Sequence, residues 1–363
     1  MARLDAFLQL GYEQGVSDIH FAVGIPPMLR LTGDLVPVKY RALTDKELES
    51  FLYEILADDQ QQTLEAGMDV DFSYASEGIG RFRAHIFRKV GGLGATFRVI
   101  ATKIPELRAL KLPPVVETLT HNHQGLVLVT GATGTGKSST LAAMINHLNC
   151  TGRHNIITLE DPIEFVHESK LSLVVQREVG THVSSFAEGL RAALREDPDV
   201  ILVGELRDNE TISMAMMAAE TGHLVLGTLH TTSAAKTLDR ILDALPDEQK
   251  AQGMVSLAQS LRGVVSQILV RTADCRGRKA IVEVLVMTQA IANLLISGKA
   301  FQIPMQIETG RALGMQLMDQ ALLEAIQEKS IDPNDAYLYA QDKKQLIAFV
   351  TDPSLLPGAG NIP

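Results

Sequence analysis

The sequence predicts a small α+β domain followed by a larger α/β domain built on a mostly parallel sheet. Three observations predict it. The first hundred residues run in short alternating apolar and polar stretches, punctuated by Gly and Pro. Beyond them, β-branched apolar runs alternate with helical-period segments, the pattern of a parallel sheet with helices on its faces. The first of those runs, Leu126-Val127-Leu128-Val129-Thr130, leads into Gly131-Ala132-Thr133-Gly134-Thr135-Gly136-Lys137-Ser138. That stretch spells G-x-x-x-x-G-K-S, the phosphate loop of nucleotide hydrolases.

In the first domain, 1–100, Leu4, Phe7, Leu8 and Tyr12 share a face and predict a helix over 2–14. Ser17-Asp18-Ile19-His20-Phe21 predicts a strand. Pro26-Pro27 marks a turn, and Met28-Leu29-Arg30-Leu31 with Thr32-Gly33-Asp34 predicts a strand and hairpin. Thr44, with Glu47 three residues on, has the form of a capping box. The helix it opens carries Leu48, Phe51, Leu52 and Ile55 and is expected to end before Asp58-Asp59. Val70, Phe72 and Tyr74 alternate, as do Phe82, Ala84 and Ile86, and a turn at Gly91-Gly92-Leu93-Gly94 leads to a strand over 95–100.

The segment 101–114 contains Pro105, Pro113 and Pro114 without a clear period and reads as an interdomain linker, a candidate hinge. The larger domain, 115–363, offers core strands at 126–130, 156–159, 200–203 and 224–227. Further strands at 268–271 and 280–286 are candidates for an antiparallel edge. From Gln289 the pattern is helical, with Leu317, Ala321 and Ile326 as core positions, and the tail after Asp352 reads as unstructured.

Composition narrows the function. The 363 residues are 46% hydrophobic and 21% charged, as in ordinary globular proteins. A net charge of −10 and a pI near 5.5 weigh against a nucleic-acid translocase. Cys150 and Cys275 stand far apart, which excludes a four-cysteine zinc site and a disulfide framework and fits a reducing cytosol. No apolar run approaches the roughly 18 residues of a membrane span. A cytoplasmic chain that meets a membrane only through a partner is expected.

Phosphoryl transfer needs a metal site, a group that orients water, and positive charge. In the phosphate loop Lys137 would reach the β- and γ-phosphates, and the Ser138 hydroxyl would ligate Mg²⁺. Ser139 begins the helix that follows. Glu160-Asp161-Pro162-Ile163-Glu164 places carboxylates at a predicted strand end, where a general base belongs; the alternative is an acidic loop with a helix cap at Asp161. The run Val200-Ile201-Leu202-Val203-Gly204-Glu205 ends an apolar strand in an acid placed to hold Mg²⁺, directly or through water. Arg207 or Asp208 reads as a cap for the next helix, and Met214, Met216 and Met217 read as core or interface. His223 and His230 bracket a strand and are candidates to sense the γ-phosphate, against the alternative of satisfied structural groups. Arg81, Arg83, Arg88 and Arg98 read either as a solvated basic face or as arginine fingers for a neighbouring subunit's nucleotide.

Leu194 to Asp208 follows the L-R-x-x-P-D-x-hydrophobic-G-E-x-R-D signature of secretion ATPases. With Gly131 to Ser138, the acidic stretch 160–164 and His223/His230, the chain resembles the bacterial type II/IV secretion ATPase superfamily, and within it the PilT family of pilus-retraction ATPases. The resemblance includes Ser17-Asp18-Ile19-His20 and Arg81-Phe82-Arg83. It implies a PAS-like N-terminal domain, a RecA-like P-loop core, a homohexamer and ATP with Mg²⁺ as cofactors. The implied partner is an inner-membrane pilus platform. It also implies Glu164 as the water-activating acid with Glu160 as alternate, Glu205 as the Walker B acid, and Arg81, Arg83 and Arg98 acting across an interface. The family's A-I-R-N-L-I-R-E segment stands here as Ala290-Ile291-Ala292-Asn293-Leu294-Leu295-Ile296-Ser297, without either arginine or the glutamate. That departure leaves open a paralogous motor, or a regulatory nucleotide-binding subunit that docks on one.

Overall fold

The structure is a computed structural model and describes residues 2–31, 34–100 and 103–356. It resolves into two compact units, Met1–Lys103 with Pro162–Val166, and Ile104–Asp161 with His167–Pro363.

The first unit contains α1 (Asp5–Glu13), β1 (Asp18–Ala22), β2 (Met28–Leu31), β3 (Asp34–Pro37), α2 (Asp45–Tyr53), α3 (Asp58–Glu65), β4 (Val70–Ser76), β5 (Gly80–Lys89) and β6 (Gly92–Ile100). The strands form one antiparallel sheet in the order β3-β2-β1-β6-β5-β4. The alternation read from the sequence sorts its two faces. Ile19, Phe21, Phe82, Ala84, Ile86 and Phe97 point inward onto Leu4 and Leu8 of α1 and Leu48, Phe51 and Leu52 of α2. The Phe21 and Phe97 rings meet edge to face at 5.6 Å. The opposite face is charged: Arg30, Asp18, Arg98 and Arg83 lie directly across β2, β1, β6 and β5.

The Thr44 cap is observed, its N–H donating to Glu47 Oε2 at 3.5 Å. The helix stops at Tyr53, short of Ile55. The polar α3 was not expected, because only its Leu64 is buried and no apolar stripe announces it. The hairpin residues Thr32 and Gly33 lie outside the described residues, as do Ala101 and Thr102 of the expected linker. Within the rest of that stretch, residues Leu107–Leu110 form a short 3₁₀ turn and Leu107 is buried in the larger unit's core.

The second unit contains α4 (Pro114–Thr120), β7 (Gly125–Thr130), α5 (Lys137–Thr151), β8 (Asn155–Glu160), β9 (Leu173–Glu178), α6 (Phe186–Ala193), β10 (Val200–Val203), α7 (Asn209–Glu220), β11 (Leu224–Leu229), α8 (Ala234–Asp243) and α9 (Asp247–Ser260). There follow β12 (Leu261–Arg271), β13 (Arg278–Val286), α10 (Gln289–Ile296), α11 (Ile303–Thr309), α12 (Met318–Gln327), α13 (Pro333–Tyr339) and α14 (Lys343–Leu346). Its seven-stranded sheet runs β13-β12-β7-β11-β10-β8-β9. All neighbours are parallel except β12 and β13. The expected antiparallel edge is therefore β13, while β12 pairs parallel with β7 and is longer than expected.

Residues of β7 are buried on both faces, which is why they read as an unbroken apolar run. Leu126 and Leu128 join one core with α6 to α9, and Val127 and Val129 join another with α5. Period-2 geometry thus divides one strand between two cores. A third core gathers α12 and α13 on β12 and β13 through Val270, Ile281, Leu322 and Tyr337. Ala321 and Ile326 are buried there as expected, while Leu317 is only partly covered. The end of the chain is described to Leu356, with a 3₁₀ turn at Pro353–Leu355. Among the described residues, no helix is long and apolar enough to cross a membrane.

Candidate nucleotide-binding and hydrolysis site

Parallel strands present their carboxyl ends to one edge of a sheet, and that edge builds the site here. β11 is its centre. Leu229 O accepts the Gly131 N–H at 3.3 Å from one side, and Thr228 O accepts the Leu206 N–H at 3.0 Å from the other. The phosphate loop and the Glu205 turn are thereby hung from consecutive carbonyls, with His230 next in line.

Glycine is required at the loop's two ends. Gly131 has φ 145° and Gly136 φ 88°. A Cβ on Gly131 would lie 2.3 Å from Gln267 O, and one on Gly136 would lie 2.9 Å from Gln267 Nε2. Ala132, Thr133, Gly134 and Ser138 are exposed, Ser139 is half-buried, and Thr135 and Lys137 are buried. The Lys137 ammonium donates to Gly131 O at 2.8 Å and Ala132 O at 3.0 Å, so it lies over the loop. Thr135 Oγ1 donates to Ala132 O at 2.8 Å.

Helix α5 starts at Lys137 with Gly136 as its N-cap and no capping side chain. By contrast Ser185, Asp208, Ser233 and Thr288 cap α6, α7, α8 and α10. The first-turn amides of α5 and its dipole are left facing the loop, which is what an anion site requires. The residues present therefore fit a nucleotide's phosphates.

Glu205 is held from both sides. Arg207 Nε lies 2.7 Å from Oε2, and His230 Nε2 lies 3.4 Å from Oε1. Arg207 also reaches Asp161 at 3.7 Å. Gly204, between strand and acid, donates to Leu159 O at 2.7 Å and accepts from Thr228 Oγ1 at 2.5 Å. A Cβ on Gly204 would sit 3.0 Å from Leu159 O. Glu160 ends β8 with Oε1 accepting from Thr158 Oγ1 at 2.6 Å and Gln176 Nε2 at 3.0 Å. Glu164 is exposed between buried Ile163 and Phe165, in the segment Pro162–Val166 that belongs to the first unit. Asp208 caps α7 through the Thr211 N–H at 2.8 Å. Met214 and Met216 are core, and Met217 is exposed.

His223 departs from expectation. It precedes β11, so the strand's length, roughly 20 Å for six residues, separates it from His230. Its Nδ1 bonds Ala218 O at 2.9 Å at the end of α7, and its carbonyl accepts from Gly125 N–H at the start of β7. It stands at the amino edge of the sheet, away from the phosphate loop of the same chain.

Arg81, Arg83 and Arg98 of the first unit lie on its charged sheet face, whereas Arg88 shares the other face of β5 with Phe82, Ala84 and Ile86. Arg98 Nε donates to Asp18 Oδ1 at 2.8 Å, Arg81 Nη2 to Ser73 Oγ at 2.9 Å, and Arg83 lies 4.0 Å from Asp71. Arg88 donates to Leu64 O at 2.9 Å. In the second unit, a cavity of about 460 Å³ opens beside the first turn of α5, with Leu110, Gly136, Ser139, Thr140 and Leu269 in its wall.

Sequence reasoning missed Gln267. It is 2% exposed on β12, its Nε2 donates to Thr135 O at 2.7 Å, and its Oε1 accepts from Thr140 Oγ1 at 2.8 Å. Next to it, Ser266 and Thr130 exchange a hydroxyl hydrogen bond of 2.9 Å. Polar residues inside an otherwise apolar strand were the available signal.

Comparison with known proteins agrees with this architecture. Residues 108–348 match the family described as Type II/IV secretion system protein. The chain belongs to that family. It is 48% identical over 315 residues to the Type IV pilus retractation ATPase PilT of Pseudomonas aeruginosa, covering 87% of this chain and 91% of the relative. It is 37% identical over 342 residues to the Type IV pilus ATPase PilU of the same organism, covering 94% and 90%. A solved structure of the pilus retraction motor PilT with bound ADP superposes with a TM-score of 0.89 at 42% identity, covering 96% of this chain and 99% of that one. The RecA-like α/β core with a smaller N-terminal domain is thus the family's fold.

Proposed function

We propose that this family member is an ATP hydrolase that works as a homohexameric motor driving retraction of a type IV pilus. The observation that carries the reading is the convergence of Lys137, Glu205 and His230 at one strand-end edge of a chain 48% identical to a named retraction ATPase. Nucleotide phosphates would lie on the 131–138 loop and the open N-terminus of α5, with Lys137 turned from the loop carbonyls to the β- and γ-phosphate oxygens. The nucleoside end would enter the cavity beside Ser139 and Thr140. Ser138 and Glu205 would hold Mg²⁺, which when bound neutralises charge on the transferring phosphoryl group. Among the described residues, His, Cys, Asp and Glu form no metal cage of their own, so phosphate and water would complete the ion's shell.

His230, 3.4 Å from Glu205, would orient that carboxylate and sense the γ-phosphate. Glu164, or Glu160 in its place, would orient the attacking water, and Arg81, Arg83 and Arg98 would serve the nucleotide of a neighbouring chain. A cytoplasmic location at an inner-membrane pilus platform follows from this reading.

A second reading rests on α10. Ile296, at a position of arginine in the retraction signature, is 46% exposed, and Ala292, at the other, is buried. An apolar group in place of a surface arginine changes what that surface binds. This favours a paralogue with a different partner. Phosphate release by the purified chain with ATP and Mg²⁺, alongside Lys137→Ala, tests the hydrolase. Twitching after expression in a retraction-deficient strain tests the motor. Turnover without restored twitching selects the paralogue, and nucleotide binding without turnover removes the hydrolase.

A further inference from the structure

A peptide unit is planar and trans, so its C=O and N–H point in opposite directions. Whatever holds the Thr135 carbonyl therefore sets the direction of the Gly136 N–H. Gln267 Nε2 holds that carbonyl at 2.7 Å. The Gly136 N–H is consequently aimed away from β12. Gly136, at φ 88°, is free of the Cβ that would otherwise resist rotation of this peptide, and its mirror conformation costs little. The loop thus has an intrinsic freedom that would turn an oxygen, rather than an amide, toward a phosphate.

Gln267 is placed to remove that freedom. Thr140 Oγ1 donates to its Oε1 at 2.8 Å from the second turn of α5, which fixes which end of the amide faces Thr135. Its own carbonyl lies against Gly131, at the other end of the loop. One buried side chain on β12 thereby ties both the last loop peptide and the helix that follows it.

We propose that Gln267 is a positioning residue that locks the Thr135–Gly136 peptide so that the Gly136 amide is presented to nucleotide phosphate. This rests on the reading of 131–138 as the phosphate site. Without the lock, binding must first select the correct peptide orientation, and affinity falls by the fraction of time the loop spends in it. Once nucleotide is bound the orientation is enforced by the phosphate itself. The loss therefore falls on binding and on KM, and little of it on kcat.

The test uses the full chain, fluorescently labelled ADP and steady-state phosphate release. Gln267→Met keeps length and burial and removes both hydrogen bonds. It is expected to weaken ADP binding and raise the KM for ATP by about tenfold, with kcat changed by less than about threefold. Gln267→Glu provides a readout that packing alone would not move. Its protonated carboxyl can donate to Thr135 O, whereas its carboxylate repels that oxygen. Its ADP affinity relative to the natural chain should rise as pH is lowered from about 8.5 to 5.5.

Unchanged ADP affinity in Gln267→Met, in a preparation where Lys137→Ala has lost binding, overturns the proposal and leaves the site reading standing. Failure of the natural chain to bind ADP overturns both. If Gln267→Met melts before binding can be read, Gln267→Glu decides, and an affinity ratio that does not vary with pH overturns the lock.

Discussion

Glu205 Oε1 stands 3.4 Å from His230 Nε2, while its other oxygen accepts from Arg207 at 2.7 Å. Neither partner is adjacent to it in a strand, so the carboxylate is aimed by groups from two different loops. Glu205→Gln keeps the shape and removes the charge. Phosphate release is expected to fall on the order of a hundredfold, while labelled-ADP affinity changes by no more than a few-fold. Near-normal turnover would remove Glu205 from the hydrolytic machinery.

Gly131 tests the loop's backbone rather than its chemistry. At φ 145° and with Gln267 O only 2.3 Å from where a Cβ would stand, the backbone of both β7 and β12 must move to admit alanine. Gly131→Ala is expected to destabilise the chain by about 2–3 kcal/mol and to abolish nucleotide binding. Gly134→Ala is the comparison. It has positive φ but open space around the Cβ, so its cost is expected to stay near about 1 kcal/mol. Chemical denaturation without nucleotide reads both. Equal costs would show that crowding against Gln267 is not what fixes Gly131.

His167 gives an acid-sensitive contribution of definite sign. Burial pushes its imidazole down from 6.5 to about 4, and its Nδ1 has no hydrogen-bond partner. The unfolded chain takes up a proton as pH falls below 6.5, and the folded chain resists until about 4. Stability from this group is therefore complete above 6.5 and is lost as pH falls, by about 3 kcal/mol once the lower value is passed. His167→Leu should lose correspondingly less stability in denaturation experiments between those pH values. Parallel pH profiles for the two proteins would show that His167 is protonated equally well in both states.

Glu283 works with the opposite sign. Its carboxyl is 3% exposed on β13 and accepts the Ala234 N–H of α8 at 2.7 Å and the Met318 N–H of α12 at 3.3 Å. Burial pushes its pKa up, against these hydrogen bonds, which favour the carboxylate. Between 4.5 and the raised value, the folded state keeps a proton that the unfolded state has released. Stability from this group is present below that window and declines as pH rises through it. Relative to Glu283→Gln, which cannot titrate, the natural chain should lose ground as pH rises past 4.5. Glu283→Ala leaves both helix amides without an acceptor and should cost about 3 kcal/mol. A cost below about 1 kcal/mol would mean that water replaces the carboxylate.

What the sequence disclosed follows from burial. β7, β10 and β11 are covered on both faces, so their residues are uniformly apolar and legible as strands. β9 is an edge strand whose Leu173 and Val175 are exposed, and it carries no such signature. In β12, Arg262, Gly263, Ser266 and Gln267 interrupt the apolar run, so only its last residues looked like a strand. Of those interruptions Gln267 serves the loop and Ser266 bonds Thr130 just before it, while Arg262 donates to Gln124 O at the start of β7. The phosphate loop, Glu205 and His230 were legible because each sits within a few residues of a buried strand's end. A histidine before a strand and one after it look equivalent until strand direction is known, which is why His223 and His230 read alike although they lie at opposite ends of β11.

The first unit takes in Pro162–Val166, with Ile163 and Phe165 buried, although its own continuous stretch ends at Lys103. A ribosome making about 5–20 residues per second needs on the order of ten seconds to cover the gap between those points. The core residues of the first unit, Leu4 through Phe97, are all made before the segment Pro162–Val166, which arrives only after β7, the phosphate loop and α5. The segment that carries Glu164 is thus the last piece of the first unit to be made.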